Sequence, residues 1–223
     1  MTRRFNILAA ATALMFFGLG PAPAHATTSF GADLSRPANV DFDCTVIPGE
    51  TRAQSNYQSC SWANDTSGPG TDNETFMSPV GSGVITRIRV KVGPTTGPMQ
   101  VVILEGSYQD GFRSDREVSC CKEINRTGAF TPKPNAVTAL DVSLPVRNDT
   151  ARGKGSGDRA FDLMALSVLQ AGVPVPAHDT GVHDGTGSNA TAWWPAWQPG
   201  QERADRGGPS GYVVLLNADW EPR

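Results

Sequence analysis

Val84-Ile85-Thr86-Arg87-Ile88-Arg89-Val90-Lys91-Val92 decides the fold class of this chain. On an extended backbone Val84, Ile88, Val90 and Val92 fall on one face, and Arg87, Arg89 and Lys91 on the other. A period of two marks a strand with one face in a core and the other in water. Arg87, Arg89 and Lys91 are also the densest basic cluster in the sequence. Their alternation with Ile88 and Val90 assigns them to a wet strand face, so nucleic acid is not an expected partner.

The same rhythm continues in both directions. Gly93-Pro94-Thr95-Thr96-Gly97-Pro98 turns the chain, and Met99 to Leu104 reads as the returning strand. Ala136 to Leu144 alternates again, with Leu140, Val142 and Leu144 inward and Asp141 and Ser143 outward. Phe161 to Leu169 and Tyr212 to Leu216 are more continuously apolar, as buried central strands tend to be. Shorter candidates lie at Phe42–Val46, Cys60–Ala63 and Val118–Ile124. Clusters of Gly, Pro, Asn and Asp separate them, and no stretch carries a helical stripe with caps. The expectation is an all-β chain, a two-sheet antiparallel β-sandwich with jelly-roll-like organisation.

The amino end reads differently. Arg3 and Arg4 precede an apolar run from Ile7 to Leu19, and Pro21, Pro23 and Ala24-His25-Ala26 follow. That is the order of a secretory signal peptide, and the run is too short for a bilayer span of about 20 residues. The expected organisation is a signal peptide over 1–26 and one domain over 27–223, secreted and without membrane insertion. Removing 26 of the 223 residues leaves about 197, enough for a sizeable core. The formal charge of −3 becomes −5, because Arg3 and Arg4 leave and no acid does.

All four cysteines, Cys44, Cys60, Cys120 and Cys121, lie beyond the leader. An even number in an oxidising compartment implies two disulfides, with three possible connectivities. Cys44–Cys60 would close a short loop. Cys120 and Cys121 are adjacent, so a bridge between them is strained, and a strand would point them to opposite faces. Both arrangements stay open, and no CxxC motif is present. Asn64, Asn73, Asn125, Asn148 and Asn189 each have Thr two residues on. Only four of the 19 basic residues are lysine, a habit of GC-rich bacterial coding, so these are read as loop segments rather than glycan acceptors.

Two stretches could hold a ligand. Ala192-Trp193-Trp194-Pro195-Ala196-Trp197 places three of five tryptophans within five residues. Exposed indoles stack on sugar rings and offer an N–H to a hydroxyl, so Trp193, Trp194 and Trp197 are candidate ligand-binding residues. The competing reading is a hydrophobic plug at the end of the domain. Trp62 and Trp220 are assigned to the core or its rim. His178-Asp179-Thr180-Gly181-Val182-His183-Asp184-Gly185 is the second stretch. Calcium could be held there by Asp179, Asp184 and carbonyls, or a transition metal by His178 and His183. The spacing matches neither an EF-hand nor a zinc pattern, and a plain ordered loop is the alternative.

Catalytic signatures are weak. Asp179-Thr180-Gly181 resembles the aspartic-protease tripeptide, but His178 stands where an apolar residue is needed, and that reading is rejected. Seven glutamates and fifteen aspartates always permit an imagined acid pair for sugar hydrolysis. Glu105, Glu117 and Glu202 read equally well as solvated charges. No Gly-x-Ser-x-Gly elbow occurs.

Phe30-Gly31-Ala32-Asp33-Leu34-Ser35-Arg36-Pro37, Thr95–Val102 and Leu215-Leu216-Asn217-Ala218-Asp219 resemble segments of secreted bacterial β-sandwich proteins of no assigned role. The likeness covers most of the chain beyond the leader and implies no site residues. The rhythm of Leu140–Pro145 and Phe161–Leu169 is loosely similar to jelly-roll carbohydrate-binding modules, an analogy of fold alone. Together these features lead to the expectation of a secreted, non-catalytic module for a glycan or cell-envelope polysaccharide. An extracellular polysaccharide hydrolase or lyase is the alternative, as is a structural or adhesive envelope protein that binds another protein.

Overall fold

The computed structural model describes residues 27–40, 43–45, 57–64, 77–108, 121–148, 159–183, 190–203 and 210–223. Among them there is no helix, and every strand pair is antiparallel. The strands are β1 (Thr28–Gly31), β2 (Cys60–Asn64), β3 (Gly81–Lys91), β4 (Met99–Tyr108), β5 (Cys121–Arg126) and β6 (Val137–Asn148). They continue with β7 (Arg159–Val168), β8 (Ala177–Asp179), β9 (Ala190–Trp193), β10 (Glu202–Arg203), β11 (Tyr212–Val214) and β12 (Leu216–Pro222). Ten form one sheet, while β8 and β11 form a second, two-stranded sheet.

The large sheet has two limbs. One runs β1-β12-β3-β6, and the other runs β10-β5-β4-β7 with β2 and β9 beside β7. Among the described residues their ladder contact is a single pair, Asn148 with Phe161. Ile85, Ile88 and Val90 of β3, Leu144 and Val146 of β6, and Trp220 of β12 share one apolar cluster with Val101 and Ile103 of β4, Leu166 and Val168 of β7, and Trp62 of β2. Both limbs therefore contribute to the principal core.

The alternation of β3 holds with one correction. Thr86 is skipped in the ladders to both β6 and β12, so Ile85 pairs with Leu144 whereas Val84 pairs with Pro145. This bulge shifts the phase of the strand. Ile85 joins Ile88, Val90 and Val92 in the principal apolar cluster, whereas Val84 is buried outside it. On β6 the expected alternation is present, with outward Asp141 and Ser143 exposed and Leu144 buried.

Met99 does begin a strand, but not the partner of β3. β4 pairs with β7 and β5, so the Gly93–Pro98 turn carries the chain from one limb to the other. Gly97 makes this crossing possible, because a Cβ there would lie 2.4 Å from a methyl of Val173. Phe161 to Val168 of β7 is buried at every position, as its unbroken apolar run requires. One face meets the principal core, and Phe161, Leu163 and Ala165 of the other meet a second cluster with Val102, Leu104, Cys121, Trp193 and Trp197.

The expected strand Tyr212–Leu216 is divided between the sheets at Leu215. Its N–H donates to Pro176 O and its carbonyl accepts from Lys91 N–H, so the chain steps from β11 into β12. The last strand then packs firmly: Trp220 is 7% exposed and covers Gly83, where a Cβ would meet the indole at 2.1 Å. Asn64 ties the two sheets together. Its amide donates to Val214 O at 2.9 Å and accepts from Val214 N–H at 2.6 Å, extending the ladder by one side chain.

Of the Phe42–Val46 candidate, residues 43–45 form a turn and the rest lies outside the described residues. Cys44 and Cys60 are joined, with Cα atoms 5.2 Å apart. Cys121 is also disulfide-bonded, and Cys120 lies outside the described residues. Asn64 and Asn148 are buried with their amides donating to Val214 O and Ser78 O, which suits local structure rather than a glycan attachment. Asn125 accepts from Arg126 N–H, and Asn73 and Asn189 fall outside the described residues.

Candidate functional site

The tryptophan-rich segment leaves β9 and folds back over β2 and β7. Trp197 N–H donates to Ser61 Oγ at 3.1 Å, and Ser61 Oγ lies 2.6 Å from Ser167 Oγ. These bonds draw the segment inward. Trp193 and Trp197 are 1% and 2% exposed and meet edge to face at 5.4 Å. A flat three-indole platform is therefore ruled out in this conformation, because rings sealed in a core cannot stack on a sugar. Trp194 is half-buried and points elsewhere. Its indole donates to Cys44 O at 2.8 Å and packs edge to face on Trp62 at 5.7 Å. It caps the Cys44–Cys60 disulfide, toward which Trp62 Nε1 also donates at 3.2 Å. The aromatic run acts chiefly as a plug.

A polar group that the sequence reading passed over gathers around Trp197. Arg203 of the edge strand β10 places its guanidinium 5.1 Å above the Trp197 ring and donates to Pro195 O at 2.6 Å. Arg126 of β5 donates through Nε to Glu123 at 2.8 Å and through Nη1 to Gln100 at 3.2 Å. Glu123 is buried, and its other oxygen accepts from Gly200 N–H. Gln201 closes the turn, taking Gln198 N–H on its side chain and giving its carbonyl to Glu123 N–H. Among the described residues, Arg126 Nη2 and Trp197 Nε1 are buried without an acceptor. These residues come from β4, β5, β10 and the loop after β9, so no local motif announces them. Only alternation on β4 and β5 hints that Gln100 and Glu123 share a face with Val102 and Leu104.

The histidine loop assembles only in part. His178 and Asp179 are neighbours on extended β8 and therefore point to opposite faces. His178 Nδ1 lies 3.0 Å from Pro37 O. Asp179 and His183 do meet, with Oδ1 and Nε2 3.1 Å apart, while His183 Nδ1 lies 3.0 Å from Ser210 O. Tyr212 packs against His183 at 5.1 Å, and burial together with the nearby Asp179 pushes its hydroxyl above the usual value. Asp184 lies outside the described residues. Among those described, no three His, Cys, Asp or Glu side chains group as a metal site would require.

The face carrying Arg87, Arg89 and Lys91 is wet as expected, and its charges are matched. Arg87 pairs with Asp141 at 2.9 Å, and Lys91 Nζ donates to Leu34 O at 2.9 Å. Arg89 grips both oxygens of Asp219, which also accepts from Ser29 Oγ at 2.7 Å. The Arg89 bond holds the Asp219 carboxyl below the usual carboxylate range, against the opposing effect of burial.

One further acid pair stands at the end of the principal core. Glu105 of β4 and Asp162 of β7 are directly opposite in the ladder, on the face shared with Ile103 and Met164. Arg147 binds both, through its guanidinium to Glu105 and through its N–H to Asp162 at 2.7 Å. Like charges facing across a ladder destabilise it unless a cation intervenes, and Arg147 supplies that cation. Among the described residues no helix is long and apolar enough to cross a membrane. No family model, curated protein or solved structure matches this chain.

Proposed function

We propose that the chain is an exported, non-catalytic β-rich module that binds a glycan or polysaccharide of the cell envelope. The observation that carries this reading is the group around Trp197. It joins an indole, two guanidinium groups, a carboxylate and the amides of Gln100, Gln198 and Gln201 at one edge of the sheet. Planar amide, carboxylate and guanidinium groups match the paired hydroxyls of a sugar, while the Trp197 ring, sealed in the core, supports Arg203 rather than the ligand. The leader-like residues 1–26 and the Cys44–Cys60 bridge support export, since such bridges persist in oxidising compartments. The same reading takes the two limbs as the faces of a jelly-roll-like sandwich, supported by the core cluster to which both contribute.

The test is a pull-down of the oxidised protein on insoluble polysaccharides and cell-wall sacculi, with and without chelator, read by tryptophan fluorescence. Binding that Arg203→Ala changes at least threefold and chelator leaves alone is the expected result. No binding to any of these surfaces would sink the reading. A hydrolase is the second reading, favoured by Glu105 facing Asp162. Asp162 is only 1% exposed, so Glu105 alone could reach a substrate, which ranks hydrolysis second. Release of reducing ends that disappears in Glu105→Gln would reverse that order.

A further inference from the structure

Among the described residues, the bordering strands of the large sheet are protected unequally. β1 has four residues, β9 has four and is buried throughout, and β10 has two, both charged. Short, covered or charged edges are how folded proteins avoid pairing with one another. β6 is different. It has 12 residues, and on the side away from β3 it meets another strand only at Asn148. The hydrogen-bond phase of β3 fixes where its free main-chain groups point. Lys91 N–H donates to Leu215 O, away from β6, and Val92 N–H donates to Ala136 O, toward it. Lys91 pairs with Val137, Arg89 with Ala139 and Arg87 with Asp141, so these are the non-bonded positions of the β3–β6 ladder. The N–H and C=O groups of Val137, Ala139 and Asp141 therefore point out of the sheet edge. Val137 is 45% exposed, and Ala139 and Asp141 are exposed too. On the inner face Leu140 is only half-buried and stands outside the principal cluster, although its ladder partner Ile88 is fully buried. The open stretch ends at the bulge of Val142 and Ser143, beyond which lie Pro145 and the bond from Arg147 N–H to Asp162.

We propose that the Val137–Asp141 edge pairs antiparallel with the same edge of a second copy of this chain, giving a two-fold dimer. An antiparallel ladder lets one strand pair with itself about a two-fold axis. Charge chooses the register. Centred on Asp141, the pairing would set carboxylate against carboxylate. Centred on Val137, it would run into Asn135, whose N–H is already given to Gly93 O. Centred on Ala139, it sets each Val137 opposite Asp141 of the other copy, and the outward N–H groups of Val137, Ala139 and Asp141 all find carbonyls. Thr138 then faces Leu140 and covers its half-buried side chain. Lys91 stands behind Val137 on the same face, so each Asp141 carboxylate approaches a positive neighbour across the interface. A ladder this short falls below the roughly 1,200 Å² of a standard interface, so the association is weak and concentration-dependent. The dimer is independent of the glycan reading.

The experiment is sedimentation velocity of the oxidised protein from about 2 to about 200 μM, a range that brackets a weak dimer. The expected result is an average mass that climbs with concentration toward twice the monomer value. Val137→Lys places an ammonium opposite Asp141 and should tighten the dimer about threefold, because each dimer holds that contact twice. Val137→Asp places a second carboxylate there and should weaken it about threefold. Ala139→Pro removes an outward N–H, breaks no bond to β3, and should weaken the dimer about tenfold. Thr28→Asp on the β1 edge should change nothing. A mass that stays monomeric across the range overturns the proposal and leaves the edge to a strand of another protein. Self-association that both Val137 variants leave unchanged also overturns it, since another surface then carries the contact. Weakening by both variants overturns the register centred on Ala139. Should Ala139→Pro fail to fold, the opposite responses of the two Val137 variants decide alone.

Discussion

Asn64 shows how much one side chain can hold together. Its amide occupies both backbone groups of Val214, the point where the two-stranded sheet meets the large one. Asn64→Ala would orphan a buried N–H and a buried carbonyl, at about 1–3 kcal/mol each. Urea unfolding should therefore show a loss of about 2–6 kcal/mol, and a loss below about 1 kcal/mol would mean water replaces the amide. Asp219 and Asp43 make a different prediction. Burial opposes ionisation of Asp43, yet bonds from Thr45 and Gly172 hold it below its ordinary value, as Arg89 does for Asp219. A depressed folded value adds stability above the unfolded value of about 3.9, and this is lost as pH falls through the folded one. Thermal stability should thus fall below about pH 4, and Asp219→Asn should flatten that fall.

At the scale of the element, the bulge in β3 sets which residues reach the core. Thr86 has no partner in either ladder, and removing it would place Ile85, Arg87 and Ile88 in strict alternation and regularise the ladder to β12, leaving Val142 and Ser143 of β6 to bulge opposite. Deletion of Thr86 should therefore leave a cooperatively folded protein. Deletion of Arg89 should not, because it sends Ile88 and Val90 to opposite faces, and each lost core side chain costs about 1.5–3 kcal/mol. Solubility and an unfolding scan of the two deletions distinguish these outcomes. The disulfide is the other element-scale constraint. Cys44 and Cys60 are 16 residues apart in sequence, so reduction should cost about 3 kcal/mol in the chain-entropy account. Trp62 and Trp194 both touch the bridge region, so tryptophan emission should report its opening.

For the molecule as a whole, the route of the chain matters more than any single strand. β3 and β4 are consecutive but lie in different limbs, and the crossing at Gly97 is closely packed against Val173. Gly97→Val should force these limbs to repack, costing about 1–3 kcal/mol by overpacking, measured by denaturant midpoint. The same crossing brings β4 beside β5, which gathers Gln100, Glu123, Arg126, Trp197 and Arg203 at one edge. A ligand held there would report on the whole limb rather than on one loop.

Local pattern alone determined the long central strands. Alternation in Arg87–Val92 and Ala136–Leu144 and the unbroken apolar run of Phe161–Leu169 each follow from interactions within a few residues, whereas the choice of Cys60 as the partner of Cys44 among three connectivities does not. Such interactions leave a period or a spacing behind them. Other features depended on partners distant in the chain. The phase shift at Thr86 depends on two neighbouring strands, and the division at Leu215 depends on Pro176 and Lys91. The burial of Trp193 and Trp197 depends on Ser61 and the second apolar cluster, which favours the plug over the platform, the two readings the sequence left open. The polar group around Trp197 draws on residues from 100 to 203, which no spacing rule connects. Sequence recorded what each segment could bury, whereas the tertiary structure decided against what it was buried, because long-range packing chooses among faces that local chemistry leaves equivalent.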